Sequence, residues 1–372
     1  MLMKKLGFGL MRLPLTNPSD SKSIDINEFC KMTDAFIEKG FTYFDTAYMY
    51  HDGKSECAVK ESLVKRYPRD SFTLTDKMPV WYLKEKEDMQ RIFDDQCERC
   101  GVDYFDYYLV HSLDDENYAL AQKFGAFDFV ANLQKQGKVK TIGFSFHGDD
   151  KLLERILKEH PEMQIVQLQI NYLDWESEKI QSRRCYEIAR RYNKPVIIME
   201  PVKGGRLADL PEKADKLLKA YNPDVSAASW AIRFAASHDG VMTVLSGMSD
   251  MTQLNDNTGY MQNFEPLNND EQEIIKQVTE IIKSMVVVDC TGCEYCVSGC
   301  PMNIAIPKYF SVYNKKVNKE KGLSVTPKEQ YEELKNTFGS PKDCIACGQC
   351  ESHCPQHLQI IQNLRLVADM FE

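Results

Sequence analysis

A chain of 372 residues, 43% of them hydrophobic, can bury a large core, and its length suits two domains. Its net charge of −9 comes from interspersed acidic and basic residues, which argues against nucleic acid or a membrane surface as partner. No apolar run approaches a membrane span, and the 13 cysteines are too unevenly spaced for an extracellular disulfide framework. Arg12 and Pro14 interrupt the N-terminal apolar stretch, so no signal peptide is read there and the expected compartment is cytoplasmic.

Strand-like runs then alternate with helix-like ones. The strand candidates are Lys5–Met11, Thr42–Asp45, Phe72–Lys77, Phe105–His111, Thr141–Phe146, Ile165–Asn171, Pro195–Pro201 and Val241–Gly247. Amphipathic segments lie between them, among them Asn27–Lys39, a helix opening at Glu56 with Ser55 as its cap, and Lys179–Tyr192. Eight strands each followed by a helix predict an α/β fold, a (β/α)8 TIM barrel over residues 1–264. The competing doubly wound sheet is disfavoured because no G-x-G-x-x-G or P-loop follows a strand. Residues 265–285 read as a helical linker, and 286–372 as a second, smaller domain.

A parallel barrel keeps its chemistry at the carboxyl ends of its strands. Polar residues gather there: Asp45, Lys77, His111, Ser145, His147, Gln169, Asn171, Glu200 and Lys203. Each has a bland alternative, since a strand-end lysine is usually solvated and a histidine after apolar residues usually packs in the core. Taken together they favour a site. In the loop after the second strand, Tyr50 supplies a phenol that can give up a proton, provided its anion is stabilised. The expectation is that Lys77 lowers the phenol's pKa, Asp45 orients the lysine, and His111 holds a carbonyl oxygen. Such a set suits carbonyl reduction by hydride.

With these residues in view, the first domain resembles the aldo-keto reductases. Asp45-Thr46-Ala47-Tyr48-Met49-Tyr50 fits the family's Asp-x-x-x-x-Tyr stretch, Thr75-Asp76-Lys77 its lysine strand, and Leu109-Val110-His111 its histidine. Ile142–Ser145, Gln167–Tyr172 and Glu200–Gly205 follow in the family's order. The resemblance implies catalytic roles for Tyr50, Lys77, Asp45 and His111, and a nicotinamide dinucleotide bound without a Rossmann motif. Its implied cofactor contacts are Ser145, Gln169, Met199, Pro201, Gly204, Gly247, Met248, Ser249, Gln253 and Asn257. Two departures stand out: Phe146 replaces the asparagine of the family's Ser-Asn pair, and Met199 stands where an aromatic commonly stacks on the nicotinamide. NADPH-preferring members carry a lysine and an arginine near the positions of Gly247 and Gln253. Without those charges a phosphate dianion is poorly compensated, so NADH is expected over NADPH.

The second domain carries Cys290-x-x-Cys293-x-x-Cys296-x-x-x-Cys300-Pro301 and a second copy, Cys344-x-x-Cys347-x-x-Cys350-x-x-x-Cys354-Pro355. This is the bacterial ferredoxin run, in which the fourth cysteine of each copy ligates the other cluster. Two 4Fe–4S clusters are therefore expected, one on Cys290, Cys293, Cys296 and Cys354, the other on Cys344, Cys347, Cys350 and Cys300. Structural zinc is the alternative. The helix-like spacing between the copies resembles the α-helical type of ferredoxin, so this domain is expected to be mostly helical and ferredoxin-like.

Hydride moves two electrons together, whereas a cluster moves one. Three readings stay open. The chain is a nicotinamide-dependent reductase of an aldehyde or ketone whose clusters exchange electrons with a redox protein partner; or a carbonyl reductase with structural clusters; or an electron-transfer module on a barrel scaffold. Clusters reoxidised by a carbonyl substrate would mark the first, clusters silent in turnover the second, and a Tyr50→Phe variant of unchanged activity the third.

Overall fold

A computed structural model describes residues 4–18, 20–285, 287–318 and 325–372. The chain divides into two compact units, residues 1–202 with 224–272, and residues 203–223 with 273–372.

The first unit is built on eight parallel strands: β1 (Leu6–Gly9), β2 (Tyr43–Asp45), β3 (Thr73–Met78), β4 (Phe105–Leu113), β5 (Val139–Phe146), β6 (Ile165–Gln169), β7 (Val196–Met199) and β8 (Val241–Gly247). Each pairs with the next, and β8 returns to β1 with Leu6 opposite Val244, which closes the barrel. Its lumen is filled by side chains: Tyr43, Leu109, Ile165, Ile197 and Leu245 form one buried cluster. The Thr75 hydroxyl bonds the Tyr43 phenol at 2.6 Å within this layer. Packing is tight enough that Gly143 admits no side chain, since a Cβ there would stand 2.1 Å from the Ile165 carbonyl oxygen. A second, larger apolar layer lies between strands and helices, where Phe8, Phe29, Phe36 and Phe44 meet edge-on and stacked.

Local departures from the sequence reading have plain causes. The helix after β1 spans Ile26–Glu38 because Asp25 accepts the Glu28 N–H at 3.0 Å and fixes its start. Ser55 does not cap a helix at Glu56. A turn over Tyr50–Gly53 runs directly into helix Lys54–Val59, and the Ser55 hydroxyl lies in the first turn, 2.9 Å from Thr46 Oγ1 and 3.2 Å from the Leu10 carbonyl oxygen. Strand β4 continues two residues past His111, through a register shift that leaves Ser112 left-handed at φ 56°. The predicted linker is a helix, Asn269–Met285. Its first four residues cluster with the first unit, where Glu271 pairs with Arg233 at 2.8 Å, and the remainder with the second.

The second unit is helical around the cysteine loops. Helices Ile306–Val317, Pro327–Thr337 and Ile360–Phe371 enclose a core of Tyr309, Phe310, Tyr331, Leu364 and Val367. Asn314 clamps the strand of chain leading to Cys290, accepting the Val288 N–H at 3.0 Å and donating to its carbonyl at 2.8 Å. Segment 203–223 clusters with this unit as well. Gly204 explains the fit: at φ +65° it lies so close to the Thr291 carbonyl oxygen that a Cβ would stand 1.9 Å from it. Among the described residues no helix is long and apolar enough to cross a membrane.

Candidate active site and iron–sulfur sites

Asp45 ends β2 and Lys77 lies on β3, two strands in direct register, so their inward side chains meet in the barrel mouth. Both are buried. The Lys77 ammonium lies 2.5 Å from Asp45 Oδ1 and donates to the Thr46 carbonyl at 2.7 Å. The other carboxylate oxygen of Asp45 accepts from Gln167 at 3.2 Å, so the ion is compensated on both sides. Burial still raises the Asp45 carboxyl, with the lysine pulling it back.

Tyr50 lies beside this pair, its ring centre 5.0 Å from the lysine nitrogen. Its loop is pinned by the next residue. His51 is left-handed at φ 53°; it accepts the Leu13 N–H at 3.1 Å, and its Nδ1 donates to the Ser21 carbonyl at 2.7 Å. The rings of Tyr50 and His111 meet edge to face at 6.2 Å, and Trp81 packs against the histidine at 5.1 Å. Burial, then Lys77 and His147, hold the His111 imidazole well below its usual pKa, so at neutral pH it is uncharged. Its Nδ1 is buried with no hydrogen-bond partner among the described residues, an orphan that a bound polar ligand would satisfy.

One expectation is corrected here. The Tyr50 phenol is not acidified: burial lifts it well above its ordinary value, and the carboxylates of Asp45, Glu200 and Asp76 lift it further. The Lys77 ammonium, bound to Asp45 and the Thr46 carbonyl, does not outweigh these effects. A phenol so placed keeps its proton across the neutral range. It therefore stands ready to donate, and it can still do so to an alkoxide, which is the stronger base. The expected pH profile follows. The rate of carbonyl reduction should stay flat from about pH 6 to about pH 9, whereas alcohol oxidation, which needs the phenolate, should rise throughout that range. A reduction rate that fell through neutral pH would contradict this.

In the second unit, Cys290, Cys293, Cys296 and Cys354 line one cavity. Cys300, Cys344, Cys347 and Cys350 line another. None of the eight is in a disulfide. Among the described residues no three metal-binding side chains converge tightly enough to hold a single metal ion. The two loops share a backbone signature. The residues on either side of the middle cysteine are left-handed in both: Gly292 and Glu294 at φ 66° and 65°, Ala346 and Gly348 at 54° and 80°. The third residue after each Cys-Pro cysteine is left-handed too, Asn303 at 51° and His357 at 49°. Strain on Glu294 and Ala346 is of the kind that persists where a loop must wrap a ligand.

Comparison with known proteins places both halves. The profile described as "Aldo/keto reductase family" matches residues 5–280, and that of a "4Fe-4S dicluster domain" matches 289–359. The chain belongs to the aldo/keto reductase family. Among curated relatives, an aldo-keto reductase of Mycolicibacterium smegmatis is 34% identical over 113 residues, 30% of this chain and 38% of that protein. One of Gibberella moniliformis is 30% identical over 29% of this chain and 34% of its own length. The matched stretch thus spans little more than a third of either relative. Among solved structures, an aldo-keto reductase from Bacillus halodurans in its holo form is similar with a TM-score of 0.59 and 23% identity, covering 74% of this chain and 91% of that one. One from Klebsiella pneumoniae, in complex with NADP and acetate, has a TM-score of 0.58 and 20% identity, covering 75% and 92%. These likenesses are of fold.

Within the aldo/keto reductase barrel, the residues proposed for the cofactor fall into two groups. Ser145, Gln169 and Met199 stand at the carboxyl ends of β5, β6 and β7. Ser145 Oγ accepts the Ser112 N–H at 2.7 Å, which fixes the kink beside His111, and Gln169 is held by Asp174 at 2.8 Å. Pro201 follows β7 in a turn, and Gly247 ends β8. The others are already engaged. Met248 is buried in the core, and Asn257 is buried between Ser246 and Tyr260 at 2.9 and 2.6 Å. Ser249 donates to the Arg12 carbonyl at 2.9 Å, and Gln253 accepts the Ser249 N–H at 2.9 Å. Gly204 lies in the second unit against Thr291. Trp175 stacks on His238 at 4.2 Å. Gln167, which donates to Asp45, was missed. Gln167 was findable, because it shares a strand face with Gln169 in an otherwise apolar run.

Proposed function

We propose that this chain reduces an aldehyde or ketone with a nicotinamide cofactor, Tyr50 giving the proton, and that its second unit holds two 4Fe–4S clusters for one-electron exchange with a redox protein partner. The observation that carries the reading is the buried Lys77–Asp45 pair beside a protonated phenol and a neutral imidazole. The bound nicotinamide would supply hydride to the carbonyl carbon. Tyr50 delivers its proton to the carbonyl oxygen as negative charge develops there, and the Lys77 ammonium steadies the phenolate that remains. His111, unpartnered at one ring nitrogen, orients that oxygen. Trp81, packed on His111, excludes water from one side. The cluster ligands are Cys290, Cys293, Cys296 and Cys354 for one cluster, and Cys300, Cys344, Cys347 and Cys350 for the other, with domain limits of 1–264 for the barrel and 286–372 for the cluster domain.

For the dinucleotide, the loop after β8 brings no cation of its own, which favours NADH. Arg12 runs alongside, its side-chain carbons 3.2 Å from where a Cβ on Gly247 would stand, and a 2′-phosphate could meet it. The test is an anaerobic preparation with iron and sulfide counted, then a panel of aldehydes and ketones with both nicotinamides. Eight irons per chain and a lower KM for NADH are expected. Turnover with no iron bound would remove the cluster half of the reading, and a lower KM for NADPH would remove the cofactor preference.

A further inference from the structure

The chain leaves β7 and enters the second unit at Lys203. That lysine is fully buried and left-handed at φ 47°. Its ammonium lies 3.0 Å from Asp289 Oδ2 and donates to Gln356 Oε1 at 3.1 Å. Asp289 immediately precedes Cys290, and Gln356, two residues past Cys354, lines the same cavity as Cys290, Cys293, Cys296 and Cys354. Arg206 also pairs with Asp289. Two cations thus stand around one carboxylate at the edge of the first cysteine cavity. Neither reaches the substrate machinery of the barrel in the reading above, and no ligand role absorbs them.

A buried, desolvated lysine is costly and is kept where a charge is needed. The first cavity needs one. A cube bound by four thiolates is anionic, and each added electron makes it more so, so a fixed positive charge at its edge favours the reduced state. N–H donors act in the same direction. The Gly292 N–H reaches Cys290 Sγ at 3.4 Å, and the backbone of Leu358, Gln356 and His357 bonds the Cys354 sulfur. The second cavity is surrounded differently. It is lined by Pro301, Met302, Ile304 and an exposed Ile345, and Cys347 is exposed.

We infer that Lys203 is a tuning residue that raises the reduction potential of the cluster held by Cys290, Cys293, Cys296 and Cys354, and so sets the two clusters apart in energy. The inference rests on the proposal that both cavities hold clusters. Lys203 touches neither substrate nor reacting atoms; its effect is read in a potential. The experiment is an anaerobic redox titration of the full-length holoprotein, followed by electron paramagnetic resonance, on the parent and on Lys203→Met. The variant is expected to lower one of two midpoints by about tenfold in the reduction equilibrium, ~59 mV for a one-electron couple, and to leave the other in place. Adding Asp289→Asn removes the negative charge that Lys203 had balanced and should return most of that shift, which mere loosening of the loop would not. Failure of the variant to fold is covered by Arg206→Gln, expected to lower the same midpoint by less. Eight irons with midpoints unmoved, or with both moved together, would overturn the inference alone. A parent protein without iron would overturn the cluster proposal and the inference with it.

Discussion

Tyr50→Phe is expected to lower the rate of carbonyl reduction by about 10²–10⁴-fold while leaving nicotinamide binding and stability near their parent values. The variant loses one oxygen and keeps the ring that packs edge to face on His111 at 6.2 Å. The effect should therefore fall on kcat, since the proton is needed as charge develops on the carbonyl oxygen. Stopped-flow absorbance of nicotinamide oxidation, with binding followed by fluorescence, checks this. A loss below about tenfold would assign the proton to another group, or to water. Among the described neighbours the neutral His111 is the alternative donor, so His111→Gln belongs in the same series.

Lys77→Met should be costly in two ways that can be told apart. It strips the ammonium from a buried Asp45 that would retain Gln167 at 3.2 Å as its hydrogen-bond donor. Breaking a buried pair by removing one partner destabilises by about 3–5 kcal/mol, because the remaining charge has lost its compensation. Chemical denaturation should show a loss of that size, and activity should be abolished. Replacing Asp45 with leucine in the same chain removes the stranded charge, and most of the stability should return. Activity should not return, since nothing would then steady the Tyr50 phenolate. A double variant that regained turnover would mean that the pair is architectural.

The barrel was legible because its strands are short apolar runs whose polar residues cluster at one end; Asp45, Lys77 and His111 could be placed on that pattern. The acidity of Tyr50 was not. Sequence places a lysine near the phenol, but desolvation and three carboxylates decide the direction of the shift, and both depend on packing. The kink at Ser112 escaped for a similar reason, since serine carries no preference for a left-handed backbone and the signal lies across the barrel in Ser145. That segment 203–223 clusters with the second unit was not legible, because Lys203-Gly204-Gly205 continues a barrel motif. Its actual partners, Asp289, Thr291 and Gln356, lie far along the chain. Gly292 and Gly348 hinted at the shared backbone of the cysteine loops, one glycine on opposite sides of each middle cysteine, while Glu294 and Ala346 adopt the same conformation without advertising it.

The central claim is hydride transfer to a carbonyl at the mouth of the barrel. It is tested most directly by anaerobic turnover of the holoprotein with an aldehyde and a nicotinamide carrying deuterium at C4. The account predicts one deuterium on the carbinol carbon of the alcohol, none derived from solvent there, and loss of this product with Tyr50→Phe. Alcohol formed without deuterium, or formed equally by the Tyr50→Phe variant, would contradict it.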